Sequence, residues 1–425
     1  MFIQIRLLKT NLMKNTLLSK WLIIVFLFFI INTNSFSQNS WRFAVISDTH
    51  VGSSDTLSEM IPFLLNDSID CLLFPGDIVE GGLACSGTQL TSQLSQWKNI
   101  LAPIYAQGIG VYPIRGNHES DAHNNLIAWN SFFSNENLLP ANGPSGENNL
   151  TYSFTNKNAL FIGLDNYVNI HTVNQTWLNQ QLSLNDKPNV FVFGHEPAFK
   201  VFHNDCLDDS TSKRGIFWQS LSQYGVKVYF CGHDHFVDVS KIDDGDGNSD
   251  NDIYQYLVGT GGGWLMSQYS NYNGINSTYT PNRIFHNTEH GYALVEINGD
   301  GGNDCLITIT WKERVWNQTT SNIEYNASSN IIQYSSCETN ELNEIIRSEL
   351  DVSFQNPVTD ICNIQLNKEY KQIHINIYNS FGSHIKEFNI SNSKSANINL
   401  IDIPKGFYLM SLIVDGKSII RKFVK

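Results

Sequence analysis

The sequence predicts an α/β domain whose sheets are buried on both faces, followed by a small all-β domain. From Trp41 onward, short apolar segments with strand character alternate with amphipathic helical segments, which is typical of a buried α/β sheet. After residue 347 the strands become short and alternating and are bounded by Asn, Gly and Pro, as in a small β-sandwich. The 425-residue length fits two or three domains.

The elements of the first domain follow in order. The predicted strands are Arg42–Ile46, Cys71–Phe74, Gly110–Ile114, Ala159–Leu164, Val190–Phe193, Lys227–Cys231, Ile253–Val258, Tyr292–Ile297 and Leu306–Trp311. The predicted helices are Leu57–Asn66, Thr88–Ala106, Leu126–Phe133, Gln175–Leu184 and Ile216–Tyr224. This domain is expected to span residues 38–315. Residues 316–347, rich in Asn, Ser and Thr, are predicted to be a linker, and residues 348–425 the second domain.

The N-terminus predicts a signal peptide over residues 1–37. Lys14 and Lys20 precede the apolar run Trp21–Ile31, and small residues at Ser35 and Ser37 suit a signal peptidase. The run is too short for a comfortable membrane span, which needs about 20 residues. We therefore expect no stable transmembrane anchor, an anchor being the alternative interpretation. Translation could begin at Met1 or at Met13.

Charge and cysteine content exclude some functions. The net charge of −13 argues against nucleic-acid binding, which needs a basic face. The seven Cys residues form no C-x-x-C pair, which argues against a zinc ribbon or a thioredoxin-type site. Cys71 and Cys231 are expected to be free thiols in buried strands, whereas Cys85 and Cys206 could form a disulfide in an oxidising compartment.

Five polar motifs stand at the C-terminal ends of predicted strands. They are Asp48-Thr49-His50, Gly76-Asp77, Gly116-Asn117-His118-Glu119, Gly194-His195 and Gly232-His233-Asp234-His235. Ligands of open α/β sheets bind outside the carboxyl ends of strands, so these loops are expected to converge. Each motif alone is weak evidence, because a single His or Asp is usually an ordinary loop residue. Together, their carboxylate, amide and imidazole groups suit two divalent or trivalent ions such as Mn, Fe or Zn, with Asp77 able to bridge them.

The order of these motifs resembles the calcineurin-like metallophosphoesterase family over about residues 41–315. The resemblance implies a four-layer αββα sandwich and hydrolysis of a phosphate ester by a metal-bridging hydroxide. It assigns one metal to Asp48, His50 and His235 and the other to Asn117, His195 and His233, with Asp77 between them. It also implies that His118 binds no metal and instead protonates the leaving group as a general acid.

Glu80 narrows the position within that family. Purple acid phosphatases carry a Tyr three residues after the bridging Asp, whereas this chain has Glu80, and they usually place Gly where this chain has His50. A purple enzyme is therefore not expected. Protein phosphatases have an Asp at the Glu80 position that pairs with the catalytic His. Glu80 is accordingly a candidate catalytic residue that orients protonated His118, the alternative being a solvated loop residue.

Three other segments invite functional interpretations. Arg115 could touch phosphate, although a structural salt bridge is favoured. Asp243–Asp252 is dense in Asp, Asn and Gly, but counted from Asp244 it lacks the Gly and Glu of an EF-hand loop, which favours an acidic turn. Gly259–Gly263 resembles the family's glycine-rich turn beside the metals and lacks the Lys of a nucleotide P-loop.

Residues 354–425 resemble the type A sorting domain of the type IX secretion system of the Bacteroidota. The resemblance rests on Phe354–Val358, on Leu400–Tyr408 and on the basic ending at Lys425. It implies the secretion machinery as a partner and a secreted or cell-surface location, with an adhesion or carbohydrate-binding module as the alternative.

The sequence as a whole predicts a secreted metal-dependent phosphoesterase, with small phosphomonoesters as the favoured substrates. A phosphodiesterase is the rival within the same chemistry. A surface binding protein on a disused phosphatase scaffold is the alternative outside enzymes.

Overall fold

The structure is a computed structural model that describes residues 40–135, 138–267, 278–299, 306–335, 352–354, 358–379, 384–414 and 417–425. The predicted signal peptide lies outside these residues. Among the helices in the described part of the chain, none has the length and apolar character that a membrane span requires.

Eighteen strands, seven α-helices and one short 3-10 helix (Leu207–Ser210) are described within these residues. In chain order the strands are β1 (Trp41–Val45), β2 (Cys71–Pro75), β3 (Gly110–Ile114), β4 (Tyr152–Asn156), β5 (Ala159–Leu164), β6 (Asn189–Gly194), β7 (Val228–Cys231), β8 (Val237–Asp243), β9 (Ile253–Val258), β10 (Thr280–Asn287), β11 (Gly291–Asn298), β12 (Leu306–Asn317), β13 (Asn322–Ser335), β14 (Val352–Ser353), β15 (Ile361–Asn379), β16 (His384–Asn399), β17 (Phe407–Val414) and β18 (Lys417–Val424). The helices are α1 (Thr56–Asn66), α2 (Gly87–Ile100), α3 (Ala102–Ala106), α4 (Asn117–Asp121), α5 (Asn125–Asn135), α6 (Gln175–Leu184) and α7 (Thr211–Gln223).

Two mixed sheets form the first domain. One sheet has the order β13-β12-β11-β1-β2-β3, with β1, β2 and β3 parallel and the remaining pairs antiparallel. The other has the order β10-β8-β9-β7-β6-β5-β4, with a parallel centre of β5, β6, β7 and β9. Each parallel centre points several strand C-termini at the same edge of its sheet.

The two sheets pack face to face through aromatic side chains. The Phe43 ring of β1 lies 5.0 Å from that of Phe161, 4.7 Å from that of Phe191 and 6.2 Å from that of Phe230, all in the second sheet. Helices cover the outer faces: Trp97 of α2 packs on Phe74 of β2, and α6 and α7 pack in the cluster of the second sheet. The predicted four-layer αββα sandwich is confirmed.

The predicted linker at residues 316–347 is wrong for its first part. Residues Asn322–Ser335 form β13, which pairs with β12 along its length at the edge of the first sheet. An edge strand buries few side chains, and Tyr325 and Ile332 are the only buried residues of this strand. Its polar composition therefore resembles that of a linker. Strands β4, β8 and β10 were also not predicted.

The sequence left open a disulfide between Cys85 and Cys206, and the structure has both residues as free buried thiols. Cys85 follows β2 of the first sheet and Cys206 follows β6 of the second, so they belong to loops of different sheets. Cys71 and Cys231 are free and buried, as expected.

The C-terminal strands form one antiparallel sheet around their own hydrophobic cluster. The sequence predicts short strands at Asn363–Leu366, Ile373–Tyr378, Ile385–Ile390 and Ala396–Leu400. The first two are parts of the long strand β15 and the last two fall in β16 apart from Leu400, and the pairing of β15 with β16 shifts register between Gln365 and Tyr370. Both halves of β15 contribute to the same cluster, for example through Ile364 and Ile375. The expected all-β C-terminal region is thus present.

Candidate metal centre

All five motifs lie where parallel strands end. Asp48 and His50 follow β1, Asp77 follows β2, Asn117 begins α4 after β3, His195 follows β6, and His233 and His235 follow β7. The structure brings the seven predicted ligands and both predicted catalytic residues into one region between the two sheets.

A first group of donors surrounds the Nε2 atom of His50. This atom lies 3.2 Å from Nε2 of His235 and 3.8 Å from Oδ2 of Asp77. Nε2 of His235 is in turn 3.5 Å from Oδ1 of Asp48. Ligands bound at about 2.1 Å to one tetrahedral ion would be about 3.4 Å apart, so the spacing of these four residues fits a metal site.

A second group converges on the amide oxygen of Asn117. Nε2 of His195 and Nδ1 of His233 each lie 3.0 Å from this oxygen. Nε2 of His195 is also 3.4 Å from Oδ2 of Asp77. The Asp77 carboxylate therefore stands between the two groups, in the position of a shared ligand.

Backbone strain accompanies the ligands. Asp48, His50, Asp77 and His233 all adopt positive φ, at 59°, 44°, 48° and 77°. Such conformations of non-glycine residues cost about 1–3 kcal/mol each and cluster at functional sites. The loops therefore hold these four residues in strained backbone conformations that direct their side chains toward the centre, at a cost in local stability.

Two glycines permit the close approach of the loops. Gly76 has φ of +88°, and a Cβ there would lie 2.4 Å from Nδ1 of His195. A Cβ on Gly116 would lie 2.0 Å from Oδ1 of Asp77. Any larger residue at either position would displace a ligand, which explains the glycine preceding Asp77 and Asn117 in the sequence.

Main-chain carbonyls that the sequence analysis did not identify set the orientation of two histidines. Nδ1 of His195 donates to the carbonyl of Pro75 at 2.7 Å, and Nδ1 of His235 donates to that of Trp264 at 2.9 Å. Each bond leaves Nε2 as the ring nitrogen that carries a lone pair toward the centre. Main-chain carbonyls leave no side-chain signal in a sequence.

The glycine-rich turn closes one side of the first group. The N–H groups of Gly261 and Gly263 donate to the carbonyls of Ser47 and Asp48, each at 2.8 Å. A Cβ on Gly263 would lie 2.8 Å from the rings of both His50 and His235. The predicted placement of Gly259–Gly263 beside the metal centre agrees with these contacts.

Strong attraction between carboxylate and imidazole marks the centre. Burial lowers the pKa of His195, but Asp77 and Asp48 outweigh burial and raise that pKa to about 10. Burial raises the pKa of Asp77, but His195 and other histidines hold it well below its usual range. Metal binding requires neutral imidazole, so a bound ion would displace these protons. The donor set of two carboxylates, one amide and four imidazoles fits two ions of Mn, Fe or Zn.

Glu119 is a supporting residue whose role the sequence analysis missed. Its carboxylate accepts the main-chain N–H groups of Gly116, Asp77 and Val79 at 2.7, 3.1 and 2.9 Å. It is fully buried, and burial together with Asp77 raises its pKa to about 7. It ties the loop after β2 to that after β3. The sequence feature that could have identified Glu119 as a supporting residue is its place in the Gly-Asn-His-Glu motif.

His118 stands next to the first group but is held by a different contact. Its Nδ1 donates to the main-chain carbonyl of Glu80 at 2.5 Å, and its ring centroid lies 4.4 Å from that of His50. The Glu80 carboxylate instead lies 3.3 Å from Nδ1 of His50 and accepts from Ser53 at 2.6 Å. The hydrogen bond between Glu80 and His118 therefore comes from the main chain of Glu80 and not from the carboxylate that the family comparison predicted.

Arg115 is a structural residue, as favoured above. It is buried and forms a two-pronged ion pair with Asp165, at 2.8 and 3.0 Å. A third nitrogen donates to Asn125 at 2.7 Å, so these contacts occupy three guanidinium nitrogens.

Comparison with known families agrees with the fold and the site. Residues 42–237 match the family model described as calcineurin-like phosphoesterase, so this part of the chain is similar to that family. Residues 354–425 match the model described as secretion system C-terminal sorting domain. This second match indicates type IX secretion to the cell surface or the extracellular space. The predicted resemblances to both families are confirmed by these matches.

Among curated proteins no match is found, whereas several solved structures are similar. GAP50, the anchor in the inner membrane complex of Plasmodium, is 18% identical, with 68% of this chain and 90% of that chain covered and a TM-score of 0.41. Purple acid phosphatase PPD1 from yellow lupin is 15% identical, with 70% and 54% covered and a TM-score of 0.49.

Proposed function

We propose that this protein is a secreted phosphoesterase with two metal ions. The position of Asp77 carries the proposal. Its Oδ2 atom lies 3.8 Å from Nε2 of His50 in one donor group and 3.4 Å from Nε2 of His195 in the other. A carboxylate shared by two groups suits a pair of ions rather than one. When bound, such a pair would activate water and neutralise charge on a phosphate ester.

The residues of the chain would bind the two ions, donate a proton and position the proton donor. Asp48, His50 and His235 would hold one ion, and Asn117, His195 and His233 the other, with Asp77 between them. His118 would donate a proton from Nε2 to the leaving-group oxygen, because its Nδ1 proton is committed to the Glu80 carbonyl. Glu80 would position His118 through that carbonyl and His50 through its carboxylate.

Phosphomonoesters are the favoured substrate class and phosphodiesters the second. Five of the seven proposed ligands are neutral, so two divalent ions bound by two carboxylates leave an excess of positive charge. A dianionic monoester offsets that excess better than a monoanionic diester. The overall acidity of the chain need not repel such substrates, because bound metals are the largest local charges.

The chain is proposed to comprise a signal peptide at residues 1–37, a phosphoesterase domain from residue 38 and a sorting domain at residues 348–425. The pairing of β13 with β12 supports an end of the phosphoesterase domain at Ser335, which would make the connection between the domains shorter than the sequence predicted.

The test is metal analysis of the purified protein together with a panel of esters, including p-nitrophenyl phosphate and bis-p-nitrophenyl phosphate. We expect about two ions per chain and faster hydrolysis of the monoester. Asp77→Asn should lose metal and nearly all activity, whereas Asp186→Asn, at an exposed position, should keep both. Faster turnover of the diester would reverse the order of substrates. A metal-loaded protein that is inert toward every ester would favour the binding-protein alternative.

A further inference from the structure

The hairpin loop between β8 and β9 gathers carboxylates away from the phosphoesterase centre. The Ile242–Ile253 pair closes this loop, whose residues Asp243–Asp252 include five Asp and no Lys or Arg. His235 precedes β8 and Gly259 follows β9, so the loop lies at the opposite end of these strands from the proposed metal ligands.

Three of the carboxylates point at a common place. One oxygen each from Asp243, Asp244 and Asp252 lies within 4.8 Å of the other two. Like charges at this spacing repel one another unless a cation stands between them. The nearby lysines bond elsewhere: Lys241 donates to the carbonyl of Ser249 at 2.7 Å, and Lys227 donates to that of Asp250.

Asp252 provides a second and independent indication. The residue is only 9% exposed, and its Oδ1 atom is buried without a hydrogen-bond partner among the described residues. The amide oxygen of the neighbouring Asn251 is buried and unpartnered in the same way. Buried acceptor oxygens of this kind are costly unless a donor or a cation satisfies them. Burial also raises the pKa of Asp252, even though the charge of Lys241 and the main-chain N–H of Asp244 act to lower it.

We propose that this loop binds a calcium ion through Asp243, Asp244 and Asp252. The cluster offers oxygen donors alone, which suit hard cations, in contrast to the imidazole-rich phosphoesterase centre. Calcium accepts irregular oxygen cages, whereas magnesium demands near-ideal octahedral geometry. An irregular loop with positive φ at Gly245 and Gly247 therefore fits calcium better. The ligand spacing is not that of an EF-hand.

The bound ion would stabilise the hairpin that carries one side of the active centre. It would hold together the ends of β8 and β9, whose other ends lead to His235 and to the turn at Gly259–Gly263. Sites in extracellular modules bind calcium with Kd values of about 10⁻⁴–10⁻³ M, and the sorting domain directs this protein to that environment. A ligand that binds only the folded state raises the thermal midpoint by mass action.

The experiment measures thermal unfolding and calcium binding of the full chain. The protein is stripped of metal on a chelating resin and reloaded with manganese, so that the phosphoesterase centre is filled throughout. We expect calcium chloride at about 10 mM, some tenfold or more above the Kd, to raise the midpoint by about 2–4 °C. Magnesium should raise it less. Titration calorimetry should find one calcium ion per chain.

Variants decide whether the loop is responsible. Asp252→Asn and Asp244→Asn should each weaken calcium binding by about tenfold or more and lose the calcium-dependent rise in midpoint. Asp186→Asn removes the same charge from another exposed turn and should retain the full rise. If Asp252→Asn fails to fold, Asp244→Asn alone decides. A wild-type protein without a calcium-dependent rise, or an equal rise in the folded loop variants, would overturn the proposal.

Discussion

The main-chain carbonyl of Glu80 accepts a hydrogen bond from Nδ1 of His118 at 2.5 Å, whereas its carboxylate faces Nδ1 of His50 at 3.3 Å. One residue thus contacts both the proposed proton donor and a proposed metal ligand, through different atoms. Substitution of the Glu80 side chain changes the contact to His50 and leaves the main-chain bond to His118 in place. Such a variant can therefore distinguish the effects of the two contacts.

Substitution of Glu80 by Gln should leave the orientation of His118 intact, because the carbonyl is unchanged. We expect kcat to fall less than about tenfold at saturating metal. Apparent metal affinity should fall about 10–100-fold, since carboxylate contacts support ligating histidines. Metal titration of activity measures both quantities. Ser53→Ala, which removes the contacts of the Ser53 hydroxyl to the Glu80 carboxylate and to the His50 carbonyl, is the milder comparison. A loss of kcat with unaltered metal affinity would contradict this assignment.

Substitution of His118 by Asn should slow hydrolysis by about 10²–10⁴-fold without loss of bound metal, as expected for removal of a general acid. The loss should be greatest for alkyl phosphates, whose leaving groups need a proton, and smallest for p-nitrophenyl phosphate. Metal analysis and rates with the two kinds of ester test this expectation. An equal loss with both leaving groups would argue against proton donation.

Glu59 links α1 to β12 of the first sheet and should make stability depend on pH. Hydrogen bonds from Arg314 at 2.7 and 3.0 Å lower the pKa of Glu59. The pKa of Glu59 is lower in the folded state than in the unfolded state. The contribution of Glu59 to the free energy of unfolding is therefore fully present at a pH above the unfolded-state pKa. It is lost as the pH falls through the folded-state pKa. At pH 7, Glu59→Gln should reduce the free energy of unfolding by about 1 kcal/mol, since the pair is partly exposed. Denaturant unfolding should show this difference shrinking as the pH falls below about 4.3, the usual pKa of an unfolded Glu, toward the lower folded-state pKa. A constant difference across that range would contradict it.

Deletion of residues 348–425 should keep the protein inside the cell envelope, because the sorting domain is what the secretion machinery recognises. The truncated chain should still hydrolyse phosphate esters in cell extracts, since all the proposed ligands precede Ser335. Fractionation of cells and medium, with activity as the readout, measures both effects. Efficient release of the truncated chain would refute the sorting role.

Local patterns in the sequence were sufficient to predict the sandwich and the convergence of the site. Short apolar strands followed by Asp48, Asp77 or His195 predict loops that end at one edge, because parallel strands share a direction. The prediction failed at β13, where an edge strand buries only Tyr325 and Ile332 and so looks like a linker. The sequence left open whether Cys85 and Cys206 form a disulfide, because the proximity of two loops depends on how the sheets pack.

The sequence by itself determined which side chains form the candidate centre, since residue type and spacing after each strand are local properties. Only the tertiary structure decided how those side chains are held. The carbonyls of Pro75, Trp264 and Glu80 orient three histidines from distant parts of the chain. Their contacts arise from the packing of two sheets, and a main-chain carbonyl is the same in every residue, so no pattern of letters could have revealed them.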